Sequence, residues 1–249
     1  MTPFAALVAA VRAFRPTRSA AWRLVAACAG VLLAADAVSA VADVLLRGTL
    51  PREVASLAIG WGFTVPLVLG VVYGSLPCVA SERLPGIADC WRLGAARYGT
   101  AWRAILSAIV LLCGALAVLG VVGLPAYAVR PLGWVLLVPC AAAGLFAILC
   151  LWAVVPLVFL GGAGFGITAA LHLCGSRWAP MLGLALGCAV PGIPLAWLSS
   201  IAAPVPILGP VVDAFVAAGL QVFVALVVSE YVQGWLAEPL GGSGKPVVA

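Results

Sequence analysis

The stretch GIADCWRLGAARYGTAWRAILSAIVLLCGALAVLGVVGLP, residues 86–125, decides the fold. Its opening residues carry apolar and polar groups at helical spacing. At 100° per residue Ile87, Trp91, Ala95 and Tyr98 fall on one side, with Asp89, Arg92 and Thr100 opposite. From position 104 to 124 no charged residue occurs, and this apolar run has the roughly 20 residues needed to cross the hydrocarbon of a bilayer. The pattern predicts a short amphipathic helix lying in the headgroup plane and feeding a membrane span.

The same texture continues in both directions. Of 249 residues, 65% are hydrophobic and 8% charged, whereas a water-facing surface needs about 25% charged residues. A soluble domain, a disordered chain, a nucleic-acid partner and a disulfide-stapled secreted fold are all excluded by these figures. Further apolar runs at 24–46, 54–76, 133–160, 181–201 and 210–234 bring the candidate spans to six. The predicted fold class is therefore all-α, a polytopic membrane protein. Positive charge sets its orientation. Arg12, Arg15, Arg18, Arg23, Arg83, Arg92, Arg97, Arg103, Arg177 and Lys245 fall on the side of the N-terminus, against Arg47, Arg52 and Arg130 on the other. Ten against three predicts a cell (cytoplasmic, inner) membrane protein with both termini in the cytoplasm. Val38-Ser39-Ala40 resembles a cleavage site after an apolar stretch, but Asp36 interrupts that stretch, so the first run is read as a retained span.

Sliding the chain against itself by 80 residues brings rare residue types together. Trp22-Arg23 falls on Trp102-Arg103, Arg12 on Arg92 and then His172, Arg97 on Arg177, Tyr98 on Trp178, Gly86-Ile87 on Gly166-Ile167, and Pro51 on Pro131. The expected organisation is one six-span domain over 1–240, with repeat units of about 1–80, 81–160 and 161–240, and a disordered tail at 241–249. Each unit reads as an interfacial helix, a span, a short turn and a returning span. Two spans per unit keep all units in one orientation, which predicts three helical hairpins in a parallel, pseudo-threefold array rather than an inverted repeat.

An amphipathic run such as 86–97, ending in Arg97-Tyr98, feeding a span and recurring before Arg177-Trp178, resembles the YciC-like integral membrane proteins. It is also similar to the membrane domain fused to some glycerophosphodiester phosphodiesterases. That resemblance implies a six-span module, and it carries no phosphodiesterase residue onto this sequence.

Chemistry-bearing residues are few. Eight cysteines form no Cys-x-x-Cys pair, histidine occurs once, at His172, and no phosphate-binding glycine loop or nucleophile elbow is present. No cofactor and no metal are expected. The acidic residues Asp36, Asp43, Asp213 and Glu230 fall within spans, where a charge costs about 2.5 to 3.5 kcal/mol and so marks a candidate. Two readings stay open for them. One is structural, with Asp36 bonded to hydroxyls inside the bundle and Asp43 and Asp213 reaching water; the other is a proton relay, a cation relay or a substrate contact. Arg92, Arg97, Arg103 and Arg177, beside Trp91, Tyr98, Trp102 and Trp178, are candidates for a lipid headgroup or a partner protein, against plain membrane anchoring. The function expected is a non-enzymatic membrane module that organises or assists a membrane or cytosolic partner, with membrane lipid as a binding partner. The alternative is a transporter component, either a small permease or the membrane subunit of a larger complex.

Overall fold

Long apolar runs leave the backbone only its own hydrogen bonds in a bilayer, and helices satisfy them within one segment. The computed structural model describes residues 2–14, 19–45, 59–80, 86–128, 130–161 and 166–237. Among these, all regular structure is helical: α1 Pro3–Ala13, α2 Ser19–Leu45, α3 Val65–Ala80, α4 Ile87–Ala96, α5 Tyr98–Ala128, α6 Arg130–Gly161, α7 Ile167–Ser176, α8 Trp178–Ala202 and α9 Leu208–Leu236. A π-helical turn, Gly60–Thr64, leads into α3. The expected tail at 241–249 lies outside the described residues.

Six helices are long and apolar enough to cross a membrane, through Ala20–Ala42, Gly62–Val79, Tyr98–Val121, Val138–Leu160, Trp178–Ala202 and Leu208–Leu236. The architecture is that of a multi-pass membrane protein. Spans three and five begin earlier than their apolar runs, because the chain passes from α4 to α5 and from α7 to α8 through one residue each, Arg97 and Arg177. The Ala101 N–H still bonds to the Arg97 carbonyl at 2.9 Å, and that of Met181 to the Arg177 carbonyl at 3.0 Å. The helix therefore breaks at each elbow, where Arg97 (φ −99°, ψ 5°) and Arg177 (φ −136°, ψ 39°) leave helical geometry while the bonds that flank the joint are kept. Pro77, Pro139, Pro156, Pro191 and Pro194 lie inside spans and each removes one backbone donor.

Consecutive spans pack in pairs, α2 with α3, α5 with α6, and α8 with α9, while α3, α6 and α9 also touch one another. The short helices gather where these pairs begin and end: α1 packs on α8 and α9, α4 on α2 and α3, and α7 on α5 and α6. Small side chains make these contacts possible, as is usual where lipid gives no hydrophobic drive to association. Ala21, Ala27, Cys28, Ala153, Ala218 and Ala225 are buried, whereas Ile193 and Trp197 on α8 are 75% and 70% exposed on the outside of the bundle.

The short helices bury a different face from the one the sequence suggests. In α4 the buried residues are Cys90 and Gly94, with Ile87 and Trp91 outward. A Cβ on Gly70 would stand 2.5 Å from the Gly94 carbonyl oxygen, and one on Gly74 would stand 3.3 Å from that of Leu93. The two backbones thus cross in contact six to ten residues before the end of α3 at Ala80, about 9 to 15 Å from that end. Helix α4 is wedged into the bundle rather than laid across its end. In α7 the buried residues are Ala170, Leu173 and Cys174.

Candidate functional site

The acidic residues singled out in the sequence do not converge. Asp36 is exposed on α2 and has no hydrogen bond or ion pair among the described residues, so the expectation that it bonds to hydroxyls inside the bundle is not met. The physical reason is register. The apolar window of α2 runs Ala20–Ala42, which puts Asp36 about 7 Å beyond its middle, on a face turned away from the buried Leu24, Cys28 and Val31. The side chain of Asp43 lies outside the described residues. Asp213 is exposed at the opposite end of the bundle from the short helices and accepts a hydrogen bond from Ser199 Oγ at 2.6 Å, which joins α8 to α9. Among the described residues no three His, Cys, Asp or Glu side chains come together as a metal site would require.

The arginines divide by geometry. Arg92 is exposed and lies 3.4 Å from Asp89, one turn back; an exposed pair of this kind contributes about 0 to 1 kcal/mol. Asp89 is occupied otherwise as well, since its Oδ2 accepts the Gly86 N–H at 3.0 Å and closes the first turn of α4. Arg97 is an exposed elbow residue whose stem packs against Gly74. Arg103 is exposed on α5. Arg177 is the matching elbow before α8, half-buried, with the exposed Trp178 next to it. His172 points away from the α7 core and its ring lies 6.0 Å from that of Trp235.

Glu230 is the acidic residue that belongs to a built feature. It lines a cleft of about 290 Å³ between the end of α1, the end of α3 and α9, together with Arg12, Ser229 and Gln233. Ser229 is 3% exposed, and its buried hydroxyl has no hydrogen-bond partner among the described residues. Arg12 and Glu230 form no ion pair with each other among the described residues, so the cleft presents a cation and an anion to whatever enters. Sequence reading marked Glu230 but counted Arg12 as one more positive charge. The i, i+3 spacing of Glu230 and Gln233 was the available signal; the position of α1 over α9 was not.

A second cavity, of about 340 Å³, opens where α3, α6 and α9 meet, with Thr64, Trp152 and Gln221 on its wall. A third feature is an apolar groove of about 440 Å³ between α2, α8 and α9, bordered by Phe14, Trp22, Leu198 and Gly219. The cysteines outside the spans are packing residues. Burial pushes the Cys90 thiol above the ordinary value of 9.0. The Cys174 thiol is raised mainly by its hydrogen bond to Cys150 and then by burial. Both thiols stay protonated and unreactive at neutral pH. No family model matches this chain, and no curated protein and no solved structure matches it.

Proposed function

We propose that this protein is a non-enzymatic membrane module, with both termini and the short-helix end in the cytoplasm, that organises or assists a partner by holding membrane lipid at that end. The observation that carries the reading is the pair of elbows. Arg97 and Arg177 stand 80 residues apart at the same joint between a short helix and a span, each followed by an aromatic residue: Trp178 is exposed, and Tyr98 is half-buried with its hydroxyl donating to the Gly62 carbonyl at 2.6 Å. A basic residue at each elbow suits anionic headgroups, from which each gains about 1 kcal/mol near the membrane surface. Asp36, Asp213 and Glu230 lie apart along the bundle, so no two of these carboxyl groups could act as an acid and base pair on one substrate, in keeping with a non-enzymatic role.

The same proposal takes the bundle as three parallel units about an axis along the membrane normal. Support comes from one recurring position. Ala27, Ser107 and Gly187, spaced by 80, are each met by the short helix of the next unit: Ala27 by Trp91, Ser107 by Gly166, and Gly187 by Leu7. The last of these closes the circle by returning α1 to α8.

Replacing Arg97 and Arg177 together by Gln is the test. Native mass spectrometry should find less co-purified anionic lipid on a protein that still folds. Unchanged lipid with loss of a bound protein would mean that these arginines face a protein. A second reading, a transporter component, is favoured by the cavity among α3, α6 and α9 with Gln221 on its wall. Solute uptake by reconstituted vesicles that Gln221→Leu abolishes would establish it instead.

A further inference from the structure

The cleft around Glu230 and the apolar groove lie along one face of α9. Steps of three and four residues lead from Val216 through Gly219, Phe223 and Leu226 to Glu230 and Gln233, which keeps all six on one side of the helix. The first three border the groove and the last three the cleft. Phe14 and Phe223, whose rings are 6.1 Å apart, line the short-helix end of the groove, and their neighbours Ala13 and Leu226 line the cleft. On α9 the groove runs from Val211 to Phe223, about 18 Å at the rise of a helix, and Glu230 lies about 10 Å beyond Phe223, so cleft and groove together extend about 28 Å along the helix, the scale of one extended phospholipid. Its wall is almost wholly apolar, whereas the cleft at its short-helix end holds Arg12, Ser229, Glu230 and Gln233.

We propose that cleft and groove form one site for a single phospholipid bearing a primary amine, with the headgroup in the cleft and one acyl chain in the groove. Arg12 faces the phosphate, Glu230 the ammonium, and the Gln233 amide completes the hydrogen bonding. A primary ammonium donates hydrogen bonds to a carboxylate, and charge-assisted bonds of that kind are the strong ones. A trimethylated ammonium donates none, and an uncharged glycerol headgroup leaves Glu230 as an unpaired anion. The site therefore selects phosphatidylethanolamine over phosphatidylcholine and phosphatidylglycerol. This inference rests on the lipid-holding reading above and names a different set of residues.

The test is to reconstitute the full chain in vesicles with equal amounts of those three lipids, extract it in mild detergent, and count retained lipid by native mass spectrometry. The wild type should retain phosphatidylethanolamine about tenfold over the other two, a difference of about 1.4 kcal/mol. Glu230→Gln should abolish that preference, and Arg12→Gln should lower retention of all three. Gly219→Leu should do the same by filling the groove. A Cβ at Gly219 meets nothing within 4 Å, and an unchanged circular dichroism melt checks that the variant folds. Equal retention of the three lipids by the wild type overturns the proposal, as does a Gly219→Leu protein that keeps its lipid. If only Arg97→Gln with Arg177→Gln strips lipid, the elbow reading stands and this site falls. If no variant changes lipid content, both fall.

Discussion

Trp91 Nε1 donates a hydrogen bond to the Ala27 carbonyl oxygen at 3.3 Å, and the same indole lies against Gly30, so a tryptophan placed like a membrane anchor is also a bolt between α4 and α2. The Ala27 carbonyl lies within a span, where no water competes for it. Trp91→Phe should keep the ring and lose the bond, costing about 0.5 to 1.5 kcal/mol. A thermal melt in detergent checks this; an unchanged midpoint would mean that the indole serves the membrane alone.

The contact of Gly70 with Gly94 leaves no room for a side chain between α3 and α4. Gly94→Ala should force the helices apart at a cost of about 1 to 3 kcal/mol, the range for overpacking. Gly114→Ala is the control, because a Cβ there meets nothing within 4 Å. The two melts should therefore diverge, with Gly114→Ala equal to or above the wild type.

Asp36 is exposed toward the surroundings of the bundle with no partner among the described residues. Asp36→Leu should raise stability in a bilayer by up to about 2.5 to 3.5 kcal/mol, the cost of an acidic residue deep in a span. Loss of stability or of self-association in the variant would instead show that Asp36 faces a second copy or a partner.

Burial raises the Cys90 thiol above its ordinary 9.0. A raised folded value means that the folded state holds the proton more tightly than the unfolded chain. This contribution to stability is fully present below pH 9 and is lost as pH rises through the folded value. With the other cysteines replaced, alkylation of Cys90 at pH 9 should be slower in the folded protein than in denatured chain, and Cys90→Ala should flatten the loss of stability above that pH.

Composition alone carried the class of this fold. An apolar run of membrane length admits few structures, so the six spans were legible even where their ends were not. The ends moved for local reasons. The Arg97 and Arg177 elbows join helices that hydropathy separates, because the break takes up a single non-helical residue while the charge there lowers the local hydropathy. Helical periodicity put Ile87 and Trp91 on one face of α4, but that face is turned outward, at 46% and 41% exposed. It could not show that the tightest contact belongs to Cys90 and Gly94, since close approach depends on smallness rather than on hydrophobicity. Glu230 stood out as an intramembrane acid, but its cleft is made by α1 folding back onto α9 across more than 200 residues of chain, and no local pattern encodes that return.

The account depends most directly on the short helices sharing one face of the membrane, the cytoplasmic one, with the α8–α9 turn on the other. Single cysteines at Arg92, His172 and Val205, each in a chain with its native cysteines replaced, report this through labelling by an impermeant maleimide. In intact cells Val205→Cys should label, while Arg92→Cys and His172→Cys should label only after the membrane is opened. Labelling of Arg92→Cys or His172→Cys from outside intact cells would contradict it.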